Sequence, residues 1–477
     1  MDETMRTTDL DHLLGLTASL ANDFLAHNDD AEVSPALSLP ELRDRFSTSL
    51  PESGCNSQEV IETIAREAEP GVLRTTSGRF FGWVIGGSHL AALAADWMVT
   101  AWDQNAALYS CGPAVSVIEE VAGEWVKQLL GLPREASVAF TSGAQMAHAT
   151  ALAAARNNLL HNRGWDAEYD RLAGSPQIRV LCSGEQHASI ERACRLLGFG
   201  TASISALGTD DHGLLDTAAL ESRLSADPSR PSIVILQAGE INTGSFAPFR
   251  EACRIAHDYG AWVHIDGAFG LWAGVSPHFR HLLDGATNAD SWTTDAHKWL
   301  NVPFDNGVVV IRDRRAHRAA MSIRASYLVH SEDPADAAPD AARDQIDWNP
   351  EWSRRARGVP VYATIRALGR VGITEIVERT CRLARRLAGE IGDLPSAELL
   401  VDPVINQGLV RFRSQDGHHD ARTEPVIDRL QSDGTAWFGG TDWQGKRVMR
   451  ISVVNWQSTD DDISQAVGAV ADALEHA

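Results

Sequence analysis

The 477-residue chain is short of positive charge: 42 Lys and Arg stand against 64 Asp and Glu, a formal charge of −22. Nucleic acid and anionic membrane surfaces both require a basic footprint, so neither is expected as a partner, and any phosphate must be held locally. Cysteine is sparse. Cys55, Cys111, Cys182, Cys194, Cys253 and Cys381 show no CxxC spacing, which argues against a zinc ribbon or a disulfide framework and suggests reduced, mostly buried thiols. No run of about eighteen uninterrupted apolar residues occurs, and the acidic start "MDETMRTTDL" has no apolar segment behind it. The expectation is a soluble, cytoplasmic protein. There is no internal repeat and no GxGxxG or GxxxxGK[ST] fingerprint, which weakens a nucleotide reading.

What is present is enough apolar sequence, 44%, for a large core in two or three domains. The fourteen tryptophans are default core residues that also suit pockets and subunit interfaces. Residues 9–28 read as an amphipathic helix with Asp9 as N-cap and Leu13, Leu16, Leu20 and Phe24 on one stripe. A second helix runs through Ile118, Val121, Trp125 and Leu129 and stops at Gly131 and Pro133. Between 135 and 312, short β-type runs ("SVAF", "IRVLC", "SIVILQA", "AWVHI", "GVVVI") alternate with helical stretches. That pattern predicts an α/β fold with a mostly parallel sheet and ligands at the C-terminal strand ends. The acidic stretch 331–345 reads as an excursion, either a lid or a plain surface loop. Beyond 361, a long helix, "GLVRFR", "VMRISVVNW" and a helix capped near Thr459 suggest a smaller α+β domain.

Three stretches carry the chemistry. "AFTSGAQMAHATALAAAR" passes from a strand through Thr141, Ser142, Gly143 and Ala144 into a helix whose free amides could bind phosphate or simply be capped. "GEQHASIERACRLLG" sets His187 at a strand-to-helix corner, suited to stacking, proton transfer or capping. "HIDGAFGLW" and "TTDAHKWL" place Asp266 and Lys298 at two apolar strand ends, where they could form a salt bridge, a metal site or a cofactor clamp. A desolvated Lys can form a Schiff base, and a carboxylate can keep a pyridine nitrogen protonated. A salt bridge alone leaves the turn and His187 unexplained.

"HIDGAFG…TTDAHKWLNVPFDNG", with "SGAQMAHATALAAAR" and "EQHASIERACRLLGFG" before it, resembles the group II pyridoxal-phosphate-dependent amino-acid decarboxylases, across roughly residues 75–460. The resemblance implies the type I, aspartate aminotransferase-like fold and a homodimer whose N-terminal helices clasp the partner. The expected organisation is a clasping segment over 1–90, a large cofactor-binding domain over 91–360 and a small C-terminal domain over 361–477. It further implies that Lys298 forms the Schiff base, Asp266 pairs with the pyridinium nitrogen, His187 stacks over the ring and Ala268 packs beneath it. Ser142, Gly143, Ala144 and Gln145 match the phosphate turn, and His297 flanks the lysine. Phe80, Phe81, Trp83 and Val84 fall where aromatic members line the substrate pocket; no metal is implied.

The sequence departs from that family in several places. Residues 328–361, where a mobile loop usually carries a catalytic Tyr, contain none; His330, Trp348 and Trp352 are the notable side chains. Met146 and His148 replace a common Glu and Asn, Ala247 a frequent Asp, and Ala107 a pocket position that is aromatic in some members. The leading expectation is decarboxylation of an L-amino acid, aromatic or large and apolar. Without the Tyr, the carbanion-like quinonoid could instead meet oxygen and end in oxidative deamination. A non-catalytic protein on this fold would need a broken cofactor site, yet Lys298, Asp266 and His187 are all present.

Overall fold

A computed structural model describes residues 3–210, 213–323 and 342–476, with side chains from Asp9 onward. His330 and all but the last four residues of the 331–345 excursion lie outside the described residues.

Seven strands form the main sheet: β1 (Ser137–Thr141), β2 (Arg179–Ser183), β3 (Ile204–Leu207), β4 (Ser232–Gln237), β5 (Trp262–Asp266), β6 (Ser291–Asp295) and β7 (Gly307–Ile311). Their order is β1-β7-β6-β5-β4-β2-β3. All run parallel except β7, which is antiparallel to both neighbours. Every residue of β1, β2, β4, β5, β6 and β7 is buried, because helices cover both faces; this is why the strands read as near-continuous apolar runs. One face packs Val263, Ile265, Trp292, Val308 and Val310 against Leu129, Leu130 and Trp272. The other packs Trp262, Ile233, Ile235, Val309 and Ile311 against the helix Ala144–His161, whose alanines Ala147, Ala151 and Ala154 let it lie close to the sheet.

Four antiparallel strands, β8 (Ala397–Val401), β9 (Gln407–Phe412), β10 (Gly439–Trp443) and β11 (Lys446–Ser452), form a second sheet ordered β10-β11-β9-β8. The helix Gly358–Gly392, broken at Gly369 (φ 59°, ψ −178°), packs on the helix Pro113–Leu130 at one end and on the small sheet at the other. Thr459 starts the last helix, Asp460–His476: its Oγ1 accepts the Asp462 amide at 3.2 Å while its own amide donates to Asp462 Oδ2 at 2.8 Å.

The first helix is Glu3–Ala26, so Asp9 lies inside it and is not its cap; the residues before Asp9 include no Pro or Gly to end it. Leu13, Leu16, Leu20 and Phe24 are only half-buried, and the helices Leu39–Phe46 and Ser57–Ala68 bury no residue. The helix Pro113–Leu130 ends at Gly131 in the left-handed region (φ 68°), where glycine is favoured. Cys55 and Cys111 are exposed and the other four cysteines buried. Among the described residues no helix is long and apolar enough to cross a membrane.

Candidate active site

Strand side chains alternate, so Trp262, His264 and Asp266 share one face of β5, and Ser291, Thr293 and Asp295 share one face of β6. Parallel pairing sets His264 beside Ser291 and Asp266 beside Thr293. The helix Ala144–His161 crosses this face and brings in His148, whose Nε2 stands 3.6 Å from Asp266 Oδ2. A polar row thus lies inside an otherwise apolar layer and ends at the C-terminal edge of the strands.

At that edge the chain turns from β1 into the helix through Ser142 and Gly143. Gly143 has φ 138°, and a Cβ on Gly307, at the start of β7, would fall 2.5 Å from the Gly143 Cα, so the turn and the strand meet only as glycines. The first intrahelical bond is Ala147 N to Gly143 O at 3.0 Å, which leaves the Ala144, Gln145 and Met146 amides before it. The Ala144 amide donates to Asp295 Oδ1 at 2.6 Å. The positive end of this helix therefore already faces an anion.

Asp295 also decides how Lys298 is paired. Its Oδ2 lies 3.2 Å from Lys298 Nζ, while Asp266 faces His148, so the salt-bridge reading of Asp266 with Lys298 does not hold. Lys298 keeps 19% of its side chain exposed against 4% for Asp295. Ala268 links the two carboxylates: its amide donates to Asp266 Oδ1 at 3.1 Å and its carbonyl accepts the Asp295 amide at 2.8 Å. His297 Nδ1 accepts the Asn306 amide at 3.1 Å and its ring lies 4.3 Å from that of Phe304; burial holds its pKa below the ordinary imidazole range.

His187 caps the helix Ala188–Leu196, its Nδ1 accepting the Ser189 amide at 3.2 Å. The neutral ring must then carry its proton on Nε2. The residue is exposed overall, but the protein packed behind the ring lowers its pKa, and Asp266 and Lys298 are near enough for their charges to act on it in opposite senses. Ser142 donates its amide to Glu351 Oε1 at 3.3 Å, and Gln145 is half-buried on the first helical turn.

The expected pocket residues separate. Phe81 has no exposed surface and stacks on Phe438 in the core beside the second sheet (5.2 Å between centroids), and Val84 is buried in the main core. Phe80 and the half-exposed Trp83 instead cluster with Trp437, at 5.1 and 4.7 Å. Their segment is nonetheless fastened to the lysine turn. Gly86 passes so near the Lys298 carbonyl that a Cβ would stand 2.1 Å from it, and Gly87 donates to Asn301 Oδ1 at 2.9 Å.

Asp295 and Asn301 escaped the reading of the sequence. Asn301 is fully buried in the left-handed region (φ 55°), where its Oδ1 also accepts the Trp456 amide at 3.0 Å and its Nδ2 donates to Val454 O at 3.2 Å. It ties the lysine turn to both flanking segments. A period-two count along "SWTTD" would have set Asp295 on one face with Ser291 and Thr293, and the same count on "HID" would have paired His264 with Asp266. Little local marks Asn301: besides Trp299 O, which its Nδ2 reaches at 2.8 Å, its side-chain partners lie more than 150 residues away on both sides.

The model of the pyridoxal-dependent decarboxylase conserved domain matches residues 40–415. The chain belongs to the pyridoxal-dependent decarboxylase family. An aromatic-L-amino-acid decarboxylase of Bacillus atrophaeus is 26% identical over 93% of this chain and 91% of its own, and an L-2,4-diaminobutyrate decarboxylase of Rhizobium meliloti is 30% identical over 80% and 76%. A crystal structure of Oryza sativa TDC with PLP and tryptamine matches with a TM-score of 0.91 at 22% identity, covering 100% of this chain and 99% of that one. A Rhodiola rosea 4-hydroxyphenylacetaldehyde synthase gives 0.87 at 20% identity over the same shares. This pyridoxal-dependent decarboxylase is a carboxy-lyase of the type I fold with pyridoxal phosphate as cofactor. The donor set fits that group: a partly exposed amine at Lys298, a carboxylate at Asp266 and helix amides at the Ser142–Gln145 turn lie around one strand edge.

Proposed function

We propose that this decarboxylase acts on an aromatic or large apolar L-amino acid. The observation that carries the proposal is the separation of the two charged pairs: Lys298 rests on Asp295, which leaves Asp266 free to serve the ring nitrogen. When bound, pyridoxal phosphate supplies an aldehyde that captures amines and a ring that takes up the electrons released as the α-carboxylate leaves. Lys298 offers its amine for that capture and receives it back when product departs. Asp266 holds a proton at the ring nitrogen, His187 covers one face of the ring and Ala268 the other, and His297 packs beside the lysine. Ser142, Gly143, Ala144 and Gln145 form the turn that would hold the phosphate; the Ala144 proton is already given to Asp295, so the Gln145 amide and the Ser142 hydroxyl would be the donors left to it. The Nε2 proton of His187 is the protein's own donor to the substrate carbon, in place of the loop Tyr.

Trp83 and the neighbouring Trp437, backed by the buried Phe80, form the aromatic surface that supports an aromatic or large substrate. We also assign residues 1–90 to clasping a second copy in a homodimer in the cytoplasm, supported by three helices with almost no buried side chains and by exposed Leu10, Leu14, Leu39, Phe46 and Leu50. Residues 91–360 then form the cofactor domain and 361–477 the small domain.

A second reading follows from the loop. Residues 328–361 contain no Tyr, and Tyr362, just beyond, is stacked on Trp125 at 4.8 Å; Tyr327 lies outside the described residues. With no phenol to deliver a proton, substrate carbon could pass two electrons to oxygen and then take up water, so that amino acid, oxygen and water give aldehyde, ammonia, carbon dioxide and hydrogen peroxide. Mass spectrometry of products from the loaded enzyme and a pool of L-amino acids in air tests both. An amine lighter than its parent by one carbon dioxide is expected; an aldehyde with peroxide means the second reading is correct, and neither product from any amino acid overturns both.

A further inference from the structure

Beneath Asp266 runs a line of buried side chains that the proposed chemistry does not use. Trp262 Nε1 donates to Ser291 Oγ at 2.9 Å; Ser291 Oγ meets His264 Nδ1 at 2.8 Å; His264 Nε2 meets His148 Nδ1 at 2.9 Å; and His148 Nε2 points at Asp266 Oδ2 from 3.6 Å. Thr293 Oγ1 reaches His148 Nδ1 at 3.2 Å. Both imidazoles are fully buried, and His148 Nε2 makes no hydrogen bond within the protein.

The direction of this line can be worked out from its ends. An indole N–H only donates, so Ser291 Oγ accepts there, and its own hydroxyl proton has His264 Nδ1 as its acceptor. His264 then carries its proton on Nε2 and gives it to His148 Nδ1, and His148 in turn carries its proton on Nε2, toward Asp266. The reverse order would strand the Ser291 hydroxyl proton and aim a bare nitrogen lone pair at a carboxylate. It could be rescued only by an imidazolium, which burial opposes: both rings are pushed down to about 3 despite the charge of Asp295 beside His148 and of Asp266 beside His264.

We infer that Trp262, Ser291, His264 and His148 form a one-way donor relay that terminates on Asp266 and keeps its carboxylate ionised opposite the ring nitrogen of the cofactor. The inference rests on the proposed role of Asp266. His148 and His264 are positioning residues: they touch neither substrate nor cofactor, and they act by fixing the charge of the group that does. A donor aimed at a carboxylate favours its ionised form, and here it acts from 3.6 Å as a dipole pointed at Asp266 Oδ2. The titratable groups around the relay are Asp266, Asp295, Lys298 and His187.

The test uses holoenzyme labelled with ¹⁵N in histidine and in the cofactor ring. Long-range proton–nitrogen spectra should show His148 and His264 as neutral Nε2–H tautomers, with the ring nitrogen protonated. In His148→Leu the ring-nitrogen signal should move toward the unprotonated position and turnover fall roughly 10- to 100-fold, the weight of a hydrogen bond to a charged group. His148→Gln, whose amide can both accept from His264 and donate to Asp266, should restore both. If His148→Leu does not fold, Ser291→Ala serves instead, since losing the hydroxyl leaves His264 Nδ1 with no proton to accept and its nitrogen signal should move to that of an unbonded lone pair. An Nδ1–H or doubly protonated His148 in wild type, or an unmoved ring signal in the folded variants, overturns the relay. Borohydride reduction and peptide mass mapping separate the two levels: cofactor fixed on Lys298 with wrong tautomers sinks the relay alone, whereas no cofactor on Lys298 sinks the proposed site and the relay with it.

Discussion

The two faces of strands β5 and β6 are equally buried and chemically opposite. Toward the helix Pro113–Leu130 and Trp272 they present Val263, Ile265 and Trp292, which close into the main core. Toward the helix Ala144–His161 they present His264, Asp266, Ser291, Thr293 and Asp295, none of them more than 7% exposed. The first face stabilises by removing carbon from water. The second removes polar groups from water, and each left unpaired would cost about 1–3 kcal/mol, so its residues are bonded to one another and to helix amides. Burial alone therefore does not say what a layer is for. The polar face holds the residues to which we assign the chemistry, and the apolar face behind it holds the strands in register.

Substitutions on each face should separate these roles. The largest effect belongs to Lys298→Ala, for which we expect turnover to fall by on the order of 10³-fold or more with the cofactor adduct gone from reduced, digested protein and little change in the melting temperature. Next comes Asp266→Asn, which keeps shape and hydrogen-bonding capacity but not charge. Its expected loss of turnover is roughly 10²- to 10³-fold, the scale of one preorganised electrostatic partner, with cofactor still attached by mass. The mirror experiment is Ile265→Ala, one residue away on the other face. There the urea midpoint should drop by about 2–5 kcal/mol of stability while turnover per folded molecule at low temperature stays near wild type. Equal losses of activity from Asp266→Asn and Ile265→Ala would erase the distinction between the faces.

Much of this was legible in the sequence, for reasons that also explain the gaps. The strands β1, β2, β4, β5 and β7 follow from apolar runs between helical patterns, because a sheet covered on both sides leaves that signature. Asp266 and Lys298 stand out as charges at the ends of such runs. The antiparallel direction of β7 does not, since a strand's direction depends on its connection and not on its composition. Asp295 sat in a quoted motif unrecognised because its importance lies in an amide, Ala144 N, contributed 151 positions earlier. Phe81 and Val84, both buried, show the limit of composition: aromatic or apolar character suits a core as well as a pocket, and only the fold says which side a residue faces.

The smallest expected effect compares the faces through protons. His148 and His264 on the polar face are held at about 3 by burial, as is His317, bonded to Ser137 Oγ at 2.8 Å and Trp348 O at 2.9 Å, against an ordinary value of 6.5. A folded pKa below the unfolded one means that the unfolded chain binds more protons between the two, so stability is complete above about 6.5 and is lost as pH falls toward about 3. Each such histidine contributes a slope of up to about 1.4 kcal/mol per pH unit. Urea midpoints measured between pH 6.5 and the onset of carboxylate titration should show His148→Gln reducing that slope by the share of one group. Ile265→Ala should shift the whole curve downward and leave its slope alone. An unchanged slope in His148→Gln would mean that His148 titrates as it does in the unfolded chain, and the polar face would then be solvated, not sealed.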